Sequence, residues 1–313
     1  MTHHFDRITA QIIQAIEEGA GEYSMPWHKL GAETGQPLNA TTGKAYRGLN
    51  ILGLGLAAAA NGYAIGRWAS YRQWSSVGAQ VRRGEKGTPI FFWSSRENRS
   101  DDAEDASEKR YRGFVARTYM VFNEAQIDGA PTAPAVLAAP IPTVCHASSF
   151  FERLDATVIH GGDRAYFEPA SDLIRMPDPD QFIDRESYIS VRAHETTHWT
   201  GVKARLDRDL TGRFGTSAYA MEELVAELGA AFLCAALGVS QRPRSDHAAY
   251  ISSWLKVMKG DNKAILTAAS KAQQAVDFIL ERAFEIGNQA APFAHRALLD
   301  AAQATPATAP AER

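Results

Sequence analysis

Residues 194–198 read His-Glu-Thr-Thr-His, and an acidic segment, Met221-Glu222-Glu223-Leu224-Val225-Ala226-Glu227, follows within about one helix length. On an α-helix, side chains four apart lie about 40° apart around the axis and about 6 Å along it. His194 and His198 can therefore turn their imidazoles onto one cation while Glu195 projects beside the remaining coordination position. Two neutral nitrogen ligands, one carboxylate ligand from elsewhere and a general base for an activated water make up a metal-dependent hydrolase site.

The third ligand has to come from the acidic segment. A second His-containing extension of the motif would need histidine at position 204, and that residue is Ala204. On a helix with Leu224, Leu228 and Ala231 on its apolar face, Glu223 and Glu227 project together beside that face. Glu223 is taken as ligand and Glu227 as the carboxylate that steadies a histidine ring, with the reverse assignment open; Glu222 is expected to point away. Thr196 and Thr197 are poor helix formers, so helix propensity alone does not account for the motif. Tyr219 and His247 qualify by residue type as donors to a polarised carbonyl. Two His and one Glu suit a single divalent ion, zinc first and manganese as the alternative.

A second chemistry-bearing group sits near the N-terminus. Four of the six tryptophans (Trp27, Trp68, Trp74, Trp93) fall in the first hundred residues, with Tyr46 and Tyr71, among Arg47, Arg67, Arg72, Arg82, Arg83 and Lys86. Rings that stack on unpaired bases and cations that follow phosphates are what single-stranded nucleic acid requires. Taken singly, each tryptophan reads better as core; as a cluster with Arg47, Arg67, Trp68, Tyr71, Arg72, Arg82, Arg83 and Lys86, they favour a nucleic-acid surface. The whole-chain net charge of −3 conceals this, because residues 101–108 are acidic.

These groups need elements to hold them. Phe5, Ile8, Ile12, Ile13 and Ile16 predict a helix over 5–20, and further helices are expected over 49–61 and 70–78. Residues 80–82 and 88–94, joined through Gly84-Glu85-Lys86-Gly87, read as a hairpin, and 112–123 as another strand, with a charged loop over 95–109 between them. Pro131, Pro134, Pro140 and Pro142 mark an Ala/Pro-rich linker. A helix over 148–156, short strands near 157–160, 164–168 and 172–176, the motif helix over 184–200, and helices over 217–238, 245–258 and 261–287 complete the chain. The expected fold class is α+β: a small antiparallel-sheet domain over 1–128, the linker over 129–147, a mainly helical domain over 148–289 and a disordered tail over 290–313.

With 313 residues, 45% hydrophobic and 22% charged, the composition is that of a globular protein. The most apolar stretch, residues 51–60, is too short to span a membrane, and the start lacks the pattern of a secretory signal. Cys145 and Cys234 lie in dissimilar contexts and are read as reduced thiols of a cytoplasmic protein without membrane partners.

Several of these segments resemble a known family. Tyr46-Arg47-Gly48-Leu49-Asn50, Trp68 with Tyr71-Arg72-Gln73, the run Gly78-Ala79-Gln80-Val81-Arg82-Arg83-Gly84-Glu85-Lys86-Gly87 and Val121-Phe122-Asn123 with Gln126-Ile127 are similar to the single-strand DNA-binding domain of ArdC-type antirestriction proteins. The stretch from His194 to Gly201, Arg205-Leu206, Tyr219 to Glu227 and Trp254-Leu255-Lys256 with Asp261 and Lys263 resemble that family's zincin-like metallopeptidase domain. The resemblance implies a protein from a mobile element that binds the single strand entering a recipient cell during conjugation and protects it from restriction. It also implies metal ligands at His194, His198 and a glutamate of 222–227, with Glu195 as base; the candidate substrate, a host restriction-related protein, is not supplied by the resemblance. The family's Arg-Leu-Asn-Arg has Asp207 in its third place here, which is not expected to disturb the site. Two other readings compete: a DNA-shielding protein with a purely structural metal, and a housekeeping peptidase indifferent to DNA.

Overall fold

The computed structural model describes residues 2–20, 25, 27–28, 36–63, 66–96, 113–131, 144–213, 215–241, 247–261 and 263–290. The chain begins with α1 (Thr2–Gly19), whose Ile8, Ile12 and Ile16 recur every fourth residue and are buried. The short β1 (Leu38–Asn39) and α2 (Leu49–Asn61) follow. Gly62 ends α2 in the left-handed conformation, its N–H donating back to the Ala58 and Ala59 carbonyls. Next come β2 (Arg67–Ser70) and α3 (Tyr71–Ser76), which starts in a reciprocal cap between Ser70 and Gln73. The remaining N-terminal strands are β3 (Gln80–Val81), β4 (Thr88–Arg96), β5 (Gly113–Asn123) and β6 (Ile127–Asp128).

The sheet order is β1-β2-β5-β4, antiparallel except for the short parallel β1–β2 pair. The expected hairpin of 80–82 with 88–94 does not form. Instead β3 pairs with β6, and β4 pairs with β5 from Thr88↔Val121 to Arg96↔Gly113. The long ladder between β4 and β5 outcompetes a local pairing that could join only two or three residues.

The C-terminal part is mainly helical. Its α4 (Val144–Phe151) starts four residues earlier than predicted, inside the stretch read as linker. Ala147, Phe150 and Phe151 are buried there and give the chain a reason to coil sooner. A small sheet of β7 (Thr157–His160), β8 (Tyr166–Glu168) and β9 (Leu173–Met176), in the order β7-β9-β8, covers the first helix of the next pair. That pair is α5 (Arg185–Trp199), capped by Asp184, and α6 (Ser217–Ala236), capped by Thr216. The helices α7 (His247–Gly260) and α8 (Ala264–Ala290) close the order. The small mixed sheets followed by a helical body are the α+β arrangement expected.

One apolar core runs through both parts of the chain. Ile12, Trp27 and Leu54 from the N-terminal part belong to the same cluster as Leu224, Trp254 and Ala272. No described helix is long and apolar enough to cross a membrane. The loop expected over 95–109 lies largely outside the described residues, as do most of the linker and the tail beyond 290.

Candidate metal centre

The helix α5 carries the motif and buries nearly all of its C-terminal half. Two threonines in a buried helix are tolerated because their hydroxyls donate back to the carbonyls one turn earlier: Thr196 to Arg192 at 2.7 Å and Thr197 to Ala193 at 2.8 Å. Gly229 on α6 lies against Thr197, where an added Cβ would come within 2.5 Å of its methyl. The two helices therefore approach closely at the level of the motif.

His194, His198 and Glu223 offer donor atoms that all lie within 4.8 Å of one another. The Nε2 atoms of the histidines face each other at 3.2 Å, and the Glu223 carboxylate oxygens lie 3.6 Å from each Nε2. Ligands bound at about 2.0–2.1 Å around a tetrahedral ion are separated by about 3.3 Å. The triangle of donors has that size, so the residues fit a small divalent ion.

A carboxylate on α6 stands beside the other nitrogen of each imidazole. Glu222 Oε1 lies 3.1 Å from His198 Nδ1, and Glu227 Oε2 lies 3.5 Å from His194 Nδ1. A proton held on Nδ1 leaves the Nε2 lone pair for metal. Glu222 was expected to point away; it turns inward because the two histidines, a helical turn apart on α5, present their outer nitrogens to different points along α6.

Behind this layer, Arg208 binds the Glu222 carboxylate through Nε at 3.0 Å and Nη2 at 2.9 Å. It also donates to the Thr200 hydroxyl at 2.8 Å and the Thr197 carbonyl at 2.7 Å, so it ties the end of α5 to α6. The chain reaches that position through Gly201, where a Cβ would sit 2.8 Å from Leu210 and 2.9 Å from the Arg208 guanidinium. Asp207, the departure from the family's pattern, has φ of 48°, a conformation that both Asp and Asn adopt more readily than other side chains.

Glu227 is fully buried and its Oε1 accepts three hydrogen bonds: from Trp27 Nε1 at 3.1 Å, His28 Nε2 at 3.1 Å and Gln241 Nε2 at 2.9 Å. The Met25 N–H donates to His28 Nδ1 at 3.0 Å, which leaves the imidazole proton on Nε2 to point at Glu227. His28 and Gln241 carried no signal in the sequence, and nothing there tied Trp27 to Glu227, because Trp27 and His28 lie some 200 residues from that partner. Arg208 alone was within reach, as the last residue of Arg205-Leu206-Asp207-Arg208.

Burial raises the Glu223 carboxyl, but the hydrogen bond with His194 and the charge of both imidazoles outweigh it and hold the group at about 2. Burial also pushes Glu222 up, and the His198 and Arg208 contacts bring it below the usual carboxylate range. Glu195 is buried and, with His194, His198, Tyr219, Tyr166 and Phe182, lines a cleft of about 850 Å3. The Tyr219 hydroxyl lies 3.3 Å from that of Tyr250, and burial raises its phenol. The side chain of His247 lies outside the described residues. Cys234 is a buried free thiol in α6.

The N-terminal candidates separate. Trp68 is completely buried, a core residue rather than a stacking surface, and Trp27 and Trp74 are buried too. Arg67 is engaged by Glu124 at 2.8 Å and by the Pro131 carbonyl at 2.6 Å, and Arg47 by Asp277 of α8. Arg82 pairs with Glu85 at 3.0 Å and with the Ala125 carbonyl. Arg72, Arg83 and Lys86 are exposed, and Tyr71 is half exposed.

Residues 3–122 match the family described as the N-terminal domain of anti-restriction factor ArdC, and residues 145–271 match the zincin-like metallopeptidase family. The protein y4eC of Sinorhizobium fredii is 46% identical over 281 residues, 89% of this chain and 92% of that protein. A DNA primase TraC of Escherichia coli is 37% identical over 90% of this chain, which spans only 27% of the primase. Among solved structures, the metal-free antirestriction ArdC protein from the R388 plasmid aligns with a TM-score of 0.73 at 36% identity, over 90% of this chain and 98% of that one. Its Mn(II)-bound form aligns at 0.72 and 35%, over 89% and 97%.

Proposed function

The chain belongs to the ArdC antirestriction family, and from that premise we propose that it binds single-stranded DNA entering a recipient cell during conjugation and carries a metal-dependent peptidase-like site in the cytoplasm. One observation carries the second half of this reading: the His194, His198 and Glu223 donors form a triangle of metal-binding size with Glu195 buried in the same cleft. Zinc is the ion we propose, and the Mn(II)-bound relative supports manganese as the alternative.

A divalent ion bound there supplies Lewis acidity for a peptide carbonyl and for water. Glu222 and Glu227 orient the two imidazoles through Nδ1, and Glu223 closes the ligand set as an anion. Glu195 takes a proton from the attacking water and delivers it to the leaving amine. Tyr219 is available to donate its hydroxyl to the carbonyl oxygen from the same cleft. The proposed substrate is a host restriction-related polypeptide.

A second reading, in which the metal only holds the fold and the protein shields DNA, is favoured by one fact. The same segment occurs within relatives named DNA primase, of which it is a minor part. Glu195→Ala separates the two in recipient cells receiving unmodified DNA. Peptidase action requires protection to disappear while the purified variant keeps stoichiometric metal; full protection by the variant would leave the shielding reading in place.

A further inference from the structure

All tryptophans with described side chains are buried, so among the described residues an aromatic surface for DNA in the N-terminal domain has to be built from other rings. It lies on the ribbon of β4 and β5. Their register sets Phe92 opposite Arg117 and Ile90 opposite Tyr119. Residues directly opposite on antiparallel strands share a face, and residues two apart along a strand return to it. Phe92, Arg117 and Tyr119 are thus neighbours on one face, with Phe92 and Tyr119 in diagonal positions whose backbones are about 7–8 Å apart.

Ile90 packs against the core and anchors this face, but its neighbours Phe92, Arg117 and Tyr119 turn to solvent. Phe92 is 58% exposed, Tyr119 is 45% exposed, and Arg117 is exposed between them. Two rings in water beside a cation forgo roughly 1.5–3 kcal/mol each of burial, a cost that the isolated fold does nothing to recover. Unpaired bases would recover it, since every base offers a flat face and every nucleotide a phosphate.

The charge around the ribbon is complementary to such a ligand. Ser70 and Thr88 both sit opposite Val121, which brings the start of α3, with Tyr71 and Arg72, and the turn with Arg83 and Lys86 to the near end of the same ribbon. The acid in that turn, Glu85, is held by Arg82 and Gln126 at 3.0 Å each.

We propose that single-stranded DNA binds on the exposed face of the β4–β5 ribbon, with Phe92 and Tyr119 stacking on bases and Arg117 contacting phosphate. The proposal rests on the reading above that the protein binds single strands, and it names the surface that does so.

The test is fluorescence anisotropy of a labelled oligo-dT strand, and of a duplex of equal length, against the full chain. Each of Phe92→Ala and Tyr119→Ala is expected to weaken strand binding by about 5- to 150-fold, and the conservative pair Phe92→Tyr and Tyr119→Phe to restore it. Arg117→Ala should reduce the slope of log affinity against log salt by about 0.7. Because all three side chains are exposed, thermal melting and metal content should match the parent protein. A parent protein that ignores the strand overturns the underlying reading. A parent that binds, beside a Phe92→Ala/Tyr119→Ala protein that binds equally well with its preference over duplex intact, overturns this proposal alone and gives the face to some other partner.

Discussion

Four glutamates gather at the proposed metal site, and their surroundings give them different work. Glu223 is kept anionic, Glu222 holds the His198 imidazole, Glu227 stands 3.5 Å from His194, and Glu195 lines the cleft. Glu195→Gln removes only the proton acceptor, so metal content should be unchanged while any peptide-bond cleavage falls by about 10²- to 10⁴-fold, measured by metal analysis beside a turnover assay. Glu222→Gln acts on His198 instead and should weaken zinc binding by about 10- to 100-fold in a chelator competition. It should also change the acid limb of stability. A carboxylate whose folded value lies below its ordinary 4.5 contributes stability that is present above that value and is lost as pH falls through the folded one. Thermal melts of the metal-free parent should therefore drop below pH 4.5 more steeply than those of Glu222→Gln. The two histidines were readable because their spacing is a property of one helix. Which α6 glutamate meets which imidazole was only partly so, since it depends on how α6 crosses α5.

That crossing is decided at a glycine. Gly229 lets α6 settle onto Thr197, and both the Glu222–His198 and Glu227–His194 contacts depend on that approach. Gly229→Ala would bring a methyl group within 2.5 Å of Thr197 on a helix pair that also buries Leu224 and Leu228. The expected cost is about 1–3 kcal/mol of stability, because packed interiors yield little. Metal affinity should fall with it, since the helices must part along the line where the ligands meet. Urea denaturation and zinc titration check the two effects, and a stability loss without an affinity loss would mean that the helices separate elsewhere. The helices themselves were legible from apolar periodicity, and α2, α5 and α6 begin and end within about two residues of expectation. The strands were less so. Residues 80–82 and 88–94 have the composition of a hairpin, but β3 and β4 find partners in β6 and β5, and sequence patterning does not encode which edge a strand will meet.

At the scale of the molecule, the N-terminal segment packs behind the proposed metal centre. Trp27 and His28, both buried, donate to the Glu227 oxygen that does not face His194, and with Gln241 they hold that carboxylate so that its other oxygen meets the imidazole. No spacing rule could reveal contacts across 199 and 200 residues of sequence. Trp27→Phe keeps most of the ring that packs against Trp254 and deletes one donor to a buried carboxylate. A hydrogen bond to a charged group contributes about 1.5–3 kcal/mol, so the variant should be measurably less stable. If Glu227 steers His194, its loss should also loosen the metal, and Trp27→Phe and His28→Gln should be non-additive in zinc affinity because both act through one oxygen atom. A double-mutant cycle read by chelator competition measures this directly. Additive effects, or lowered melting with zinc held as tightly as in the parent, would confine Trp27 and His28 to the shared core. Non-additivity would make the N-terminal segment part of the proposed metal site, so that the C-terminal part does not carry that chemistry alone.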